Sequence, residues 1–185
     1  MGLLTEEQKK RLLEIARQTI KYKLEKGKDL KVDEVDETLN RKMGAFVTLH
    51  EDGQLRGCIG NLIGSKALYL TIQEMALEAA FRDPRFTSLK LKELNKIEIE
   101  ISVLSPLEKV DSCEDIILGT HGVLIQKGMR SGVFLPQVAE ETGWSKEEFL
   151  SCLCSHKAGL PPDAWKDPAT EMYAFTAEIF SEKNL

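Results

Sequence analysis

Apolar residues recur at four-residue spacing through Leu12, Ala16, Ile20 and Leu24, with Leu13 and Ile15 widening the stripe. That pattern predicts an amphipathic helix near the start of the chain. Thr5-Glu6-Glu7-Gln8 supplies its capping box, in which the threonine hydroxyl accepts from the third helical amide and Gln8 reaches back. Gly27 is the expected stop, because glycine takes the left-handed cap conformation without a Cβ penalty. Farther along, residues 43–50 predict a strand, Glu51-Asp52-Gly53 a turn, and residues 55–59 the returning strand of a hairpin. Ser65 is the expected cap of a second helix reaching about residue 80, with Leu68, Ile72, Met75, Ala76 and Ala79 on one face. Pro84 ends it by excluding helical geometry at Asp83.

The clearest alternation is Ile97, Ile99, Ile101 and Val103 against Glu98, Glu100 and Ser102, a strand with one buried and one wet face. Residues 110–118 predict a short helix, and residues 121–126 and 131–135 a hairpin around Lys127-Gly128-Met129-Arg130. Pro136 opens a short helix that Gly143 ends. Ser145-Lys146-Glu147-Glu148 is a second capping box, opening a helix to about residue 157 with Gly159 as its stop. Tyr173, Phe175, Ala177 and Ile179 alternate in a closing strand. Hairpins interspersed with helices, without regular βαβ units, predict an α+β fold: a mostly antiparallel sheet flanked by helices.

With 185 residues, 42% of them apolar and 30% charged, the chain suits a single globular domain, residues 1–185, and excludes extensive disorder. It has no apolar run long enough to span a bilayer and no signal-peptide h-region at the start, so a cytoplasmic protein with no membrane partner is expected. The net charge of -5 is uneven, with residues 1–31 carrying an excess of Lys and Arg. Interleaved signs along the first helix read as a solvated face, and no aromatic-rich basic stripe accompanies them, so nucleic acid is not expected as a partner. Cys152 and Cys154 lie about 200° apart around a helix and cannot share an ion there. The other cysteines and the three histidines are scattered, so no metal site is expected.

No dinucleotide loop, P-loop, nucleophile elbow or zinc-protease helix is present, so the motifs imply no cofactor. The candidate chemistry centres on Leu55-Arg56-Gly57-Cys58-Ile59-Gly60-Asn61. Gly57 and Gly60 leave the backbone open to close approach, and a guanidinium beside a thiol favours the thiolate. Cys58 then reads as a nucleophile with Arg56 holding an anionic group; alternatively Cys58 is a small buried strand residue. Arg56 and Cys58 share a strand face only if no bulge intervenes. Arg82-Asp83-Pro84-Arg85 is a second constellation, in which two guanidiniums clamp an anion or Asp83 fixes the turn. His121 beside Gly122 is the candidate general base, against a purely structural role. Trp144 and Trp165 suit either a pocket wall or the core.

LRGCIG at 55–60, FRDPRF at 81–86, HGVLI at 121–125, LPQVAEETGW at 135–144 and FLSCLCSHKAGLPPDAW at 149–165 together resemble the AMMECR-type domain, the A component of the AmmeMemoRadiSam system. The resemblance covers essentially the whole chain in the family's order. It implies one α+β domain with a larger and a smaller lobe, LRGCIG lying near a cleft between them. It also implies Memo-like and radical-SAM proteins as partners, but it delivers no reaction. Two readings follow. One is a thiol-dependent enzyme or enzyme component, with Cys58 and His121 catalytic and a small anionic substrate bound by Arg56, Gly57, Gly60, Arg82, Asp83 and Arg85. The other is a non-catalytic regulatory domain that docks a Memo-like or radical-SAM protein.

Overall fold

The computed structural model describes residues 2–185. The chain divides into two compact units, residues 1–104 with 178–185, and residues 105–177.

In the first unit, α1 (Glu6–Lys26) carries the expected capping box between Thr5 and Gln8, and Gly27 closes it in the left-handed conformation at φ 68°. The hairpin of β1 (Ala45–Glu51) and β2 (Gln54–Asn61) turns on Asp52 and Gly53. Both turn residues have positive φ, the type I′ geometry whose twist suits a two-residue loop. On its other side β1 pairs antiparallel with β3 (Ile97–Leu104).

One face of this sheet is wholly apolar. Ala45, Val47 and Leu49 of β1 and Ile99, Ile101 and Val103 of β3 are sealed from water. Leu12, Ala16 and Ile20 of α1 cover them together with α2 (Leu68–Phe81), through Leu68, Ile72, Met75 and Ala76. Ser65 does not cap α2. The helix begins at Leu68 with no side-chain cap, and the Leu68 and Tyr69 amides donate instead to the Arg41 and Leu39 carbonyls. Tertiary hydrogen bonds there satisfy donors that a serine hydroxyl was expected to meet.

The second unit is built on β4 (Glu108–Val110), β5 (His121–Lys127), β6 (Arg130–Phe134) and β7 (Glu171–Ser181), with β6 and β7 flanking β5 antiparallel and β4 also paired to β7. The predicted helix at 110–118 is absent. In its place β4 ends at Val110, and only a single 3₁₀ turn, Cys113–Asp115, follows. Two short helices, α3 (Gln137–Thr142) and α4 (Lys146–Cys152), complete the unit. Beyond α4 the backbone widens into a π turn, Leu153–Lys157, with the Ala158 amide donating to the Leu153 carbonyl. Phe134, Phe149, Leu150 and Leu153 centre its core, where the Phe134 and Phe149 rings lie 5.2 Å apart. Trp144 and Trp165 both pack on that core. Strand β7 spans the division of the chain, so its last residues, including buried Phe180, belong to the first unit. The fold is α+β, as the alternation of hairpins and helices predicts.

Truncating the fully buried Leu12 to alanine should cost about 3 kcal/mol, the transfer of the lost methyls plus the cavity left behind. The same change at exposed Leu55 should cost under about 0.5 kcal/mol. Urea denaturation with a common slope measures both.

Candidate functional site

Strand β2 is paired to β1 along one side, and its register changes once. Leu49 opposes Gly57 and His50 opposes Leu55, leaving Arg56 as the extra residue of a β-bulge. The bulge sets which way each following side chain points. Gly57 opposes core residue Leu49 and is buried, whereas Cys58 opposes Thr48 on the face away from the helices.

Gly57 meets α2 at very short range: a Cβ there would stand 2.2 Å from the Ala79 carbonyl oxygen. Only a residue without a side chain lets α2 lie this close to the strand. At Gly60 the Phe46 ring fills the same role, 2.3 Å from where a Cβ would be. Both glycines are therefore accounted for by packing within the protein.

Cys58 is half-buried, and its sulfur accepts a hydrogen bond from the Thr48 hydroxyl at 3.2 Å. Its backbone is held from the other side by side chains. The Cys58 amide donates to Asp83 Oδ2 at 2.9 Å, and Arg85 Nη2 donates to the Cys58 carbonyl at 3.1 Å. Asp83 is itself buried and accepts from the Arg85 Nε, Nη2 and backbone amide at 2.7–3.1 Å. Together the two side chains offer Cys58 the donor and acceptor that a neighbouring strand would. The Arg85 guanidinium, then the Cys58 and Arg85 amides, hold the Asp83 carboxyl well below the usual carboxylate range despite its burial.

Among the sequence-predicted residues, Asp83 and Arg85 thus meet at Cys58, and Arg56 does not. Its Nε donates to Glu93 at 2.9 Å and its Nη2 to the Thr87 carbonyl at 2.9 Å, leaving the side chain 11% exposed and Nη1 buried without a partner among the described residues. Arg82 pairs with Glu78 one turn back along α2. His121 lies in the second unit, where its Nδ1 accepts from the Ile117 amide at 3.2 Å. With that lone pair occupied, the neutral ring carries its proton on Nε2 and presents a donor. Two participants were not singled out from sequence: Thr48, whose hydroxyl meets the sulfur, and Glu93, which neutralises Arg56. The alternation through residues 43–50 marks Thr48 as an off-core position, but its partner depends on the bulge. No group of three or more His, Cys, Asp or Glu among the described residues is placed to hold a metal ion.

The antiparallel α+β architecture is met in other chains. The family model described as AMMECR1 matches residues 13–180, and the chain belongs to that family. A protein of Nanoarchaeum equitans is 46% identical over 179 residues, 92% of this chain and 98% of its own. A protein of Methanothermobacter thermautotrophicus is 42% identical, with 97% of this chain and 96% of its own aligned. The crystal structure of an uncharacterised protein of Pyrococcus horikoshii superposes with a TM-score of 0.88 at 39% identity, covering 99% of this chain and 95% of that one.

Replacing Gly57 with alanine should cost about 2 kcal/mol by forcing α2 off β2, seen as a lower urea midpoint. Asp83→Asn should cost about 2 kcal/mol at pH 7, because one amide hydrogen must then face a donor. The folded-state pKa of Asp83 is depressed, so its contribution is complete above the unfolded value of 3.8 and fades as pH falls below it. The gap between wild type and Asp83→Asn should therefore be constant from pH 5 to 8 and narrow below about pH 4. Denaturation midpoints across that range test the sign.

Proposed function

We propose that this protein is a cytoplasmic, thiol-dependent enzyme or enzyme component that acts on a small anionic substrate as a single AMMECR-type domain, with Cys58 as its nucleophile. The observation that carries this reading is the bracket around Cys58. A buried carboxylate and a guanidinium fix both backbone polar groups of one edge-strand residue, while a hydroxyl is aimed at its sulfur. Fixing a nucleophile's position is worth orders of magnitude in rate, whereas an ordinary edge residue is satisfied by water. Arg85 is the cation that meets the substrate. Its side chain is 54% exposed, and Nη1 has no partner among the described residues, so two donors remain beside Cys58. Arg56 is a structural tie. His121, in the second unit, takes no part in this reading.

The rival reading, a regulatory domain docking a Memo-like or radical-SAM protein through the basic first helix, has less support. Lys9, Arg11, Arg17 and Lys23 are already paired with acids of this chain: Glu6 and Glu178, Glu14 and Glu34, Glu182, and Asp29. Lys21 also lies 4.0 Å from Glu25, so of the seven cations on the helix only Lys10 and Lys26 have no acid partner among the described residues, which leaves little charge to attract a partner.

Iodoacetamide labelling followed by peptide mass spectrometry tests the proposal, because Cys113 is a half-buried thiol in the same chain, beside Glu114 rather than a guanidinium. Cys58 should react about five-fold faster or more at pH 7.5, and Thr48→Val should lower the Cys58 rate alone. Equal rates for Cys58 and Cys113 from pH 6 to 9 would remove the nucleophile.

A further inference from the structure

Between α1 and α2, on the first unit, lies a groove of about 450 Å³, a volume in the range of small-molecule sites. Its apolar walls come from Leu30, Leu70, Leu77 and Phe81. Three bases and three acids line the rest, and they are matched pairwise within the groove: Lys23 with Asp29, Lys66 with Glu74, and Arg82 with Glu78. The lining therefore carries no net charge, and an ionic ligand would have to break an existing pair.

One polar group in the groove is left over. Gln73 is 9% exposed, and its Nε2 donates to the Leu30 carbonyl at 3.1 Å and approaches the Thr19 hydroxyl oxygen at 3.3 Å. A carbonyl can only accept, so the amide orientation is fixed with nitrogen toward Leu30. The opposite atom, Oε1, accepts no hydrogen bond among the described residues, although Gln73 lines the groove. A side chain about nine-tenths buried thus offers a fixed acceptor that is not sealed from solvent, so a ligand's donor there takes the place of water.

We infer that the α1–α2 groove binds a neutral small molecule with an apolar body and one hydrogen-bond donor, the donor meeting Gln73 Oε1 while the body lies against Leu70, Leu77 and Phe81. The site is separate from the Cys58 bracket and stands whether or not Cys58 is a nucleophile. A structural role for Gln73, tying the segment after α1 to α2 through Leu30, uses Nε2 and leaves Oε1 to water or a ligand.

Indole and N-methylindole form the test, because they share a body and differ in the donor. Each is titrated into the full-length ¹⁵N-labelled protein, with amide and Gln73 side-chain shifts as the readout. Indole should give saturable shifts at Gln73, Leu70 and Leu77, and N-methylindole should bind about five-fold more weakly, the worth of one net hydrogen bond. Gln73→Met should bring the two probes to equal affinity. Leu70→Trp, a change at an exposed wall position that leaves the core intact, should abolish binding of both. Shifts that do not saturate, equal affinities in the wild type, or binding that survives Leu70→Trp would each overturn the assignment. The wild-type comparison of the two probes decides the matter even if Gln73→Met fails to fold.

Discussion

The buried Asp83 carboxylate is the interaction on which the arrangement around Cys58 depends. An ionised group out of water persists only where enough donors replace its hydration. Asp83 has four such bonds, three from Arg85 and one from the Cys58 amide. Because Pro84 excludes helical geometry at Asp83, α2 stops at Phe81, and the chain turns back in time for Arg85 to reach the same carboxylate. One charge pair thereby closes an edge strand and fixes a cysteine.

Much of the architecture is legible from local rules, because those rules act over three or four residues. The Thr5 and Ser145 capping boxes, the Asp52-Gly53 turn and the alternation through β3 all occur where their patterns place them. The α2 start is less legible. Its first amides are satisfied by Leu39 and Arg41, which are more than 25 residues earlier in the chain. The residues 110–118 misled for a related reason: Ile116 is buried by tertiary packing, not as one position of a helical face.

The candidate site shows how one residue can overturn a pairing argument. Counting back from the tight turn, with Glu51 opposite Gln54, an unbroken ladder would put Cys58 opposite Val47. Val47 points into the core, so Cys58 would be sealed there and the bland reading of it as a small buried residue would hold. The bulge at Arg56 shifts the register by one, sends Gly57 inward under Ala79 and turns Cys58 outward beside Thr48. It also removes Arg56 from the thiol, so the neighbouring cation is Arg85, supplied from 27 residues away. Sequence spacing singled out Cys58 and set Arg56 beside it, whereas the structure places Arg85 there, because a bulge has no local signature beyond the glycine that follows it.

The same satisfaction argument separates structural polar groups from available ones throughout the first unit. Arg17 is held by Glu182 and by the Leu94 and Ile97 carbonyls, Arg56 by Glu93 and Thr87, and Arg82 by Glu78. A ligand competing for any of these must first replace what the protein already supplies, so their charge says little about binding. Arg85 Nη1 and Gln73 Oε1 each belong to a side chain immobilised through its other atoms and have no hydrogen-bond partner among the described residues; Arg56 Nη1 shares that lack but is buried out of a ligand's reach. Immobilisation lowers the entropy lost on binding, and with no protein partner to displace, a ligand has only water to replace. By that criterion the donor at the Cys58 edge suits an anion and the acceptor in the helix groove suits a neutral donor, two chemistries held apart within one unit.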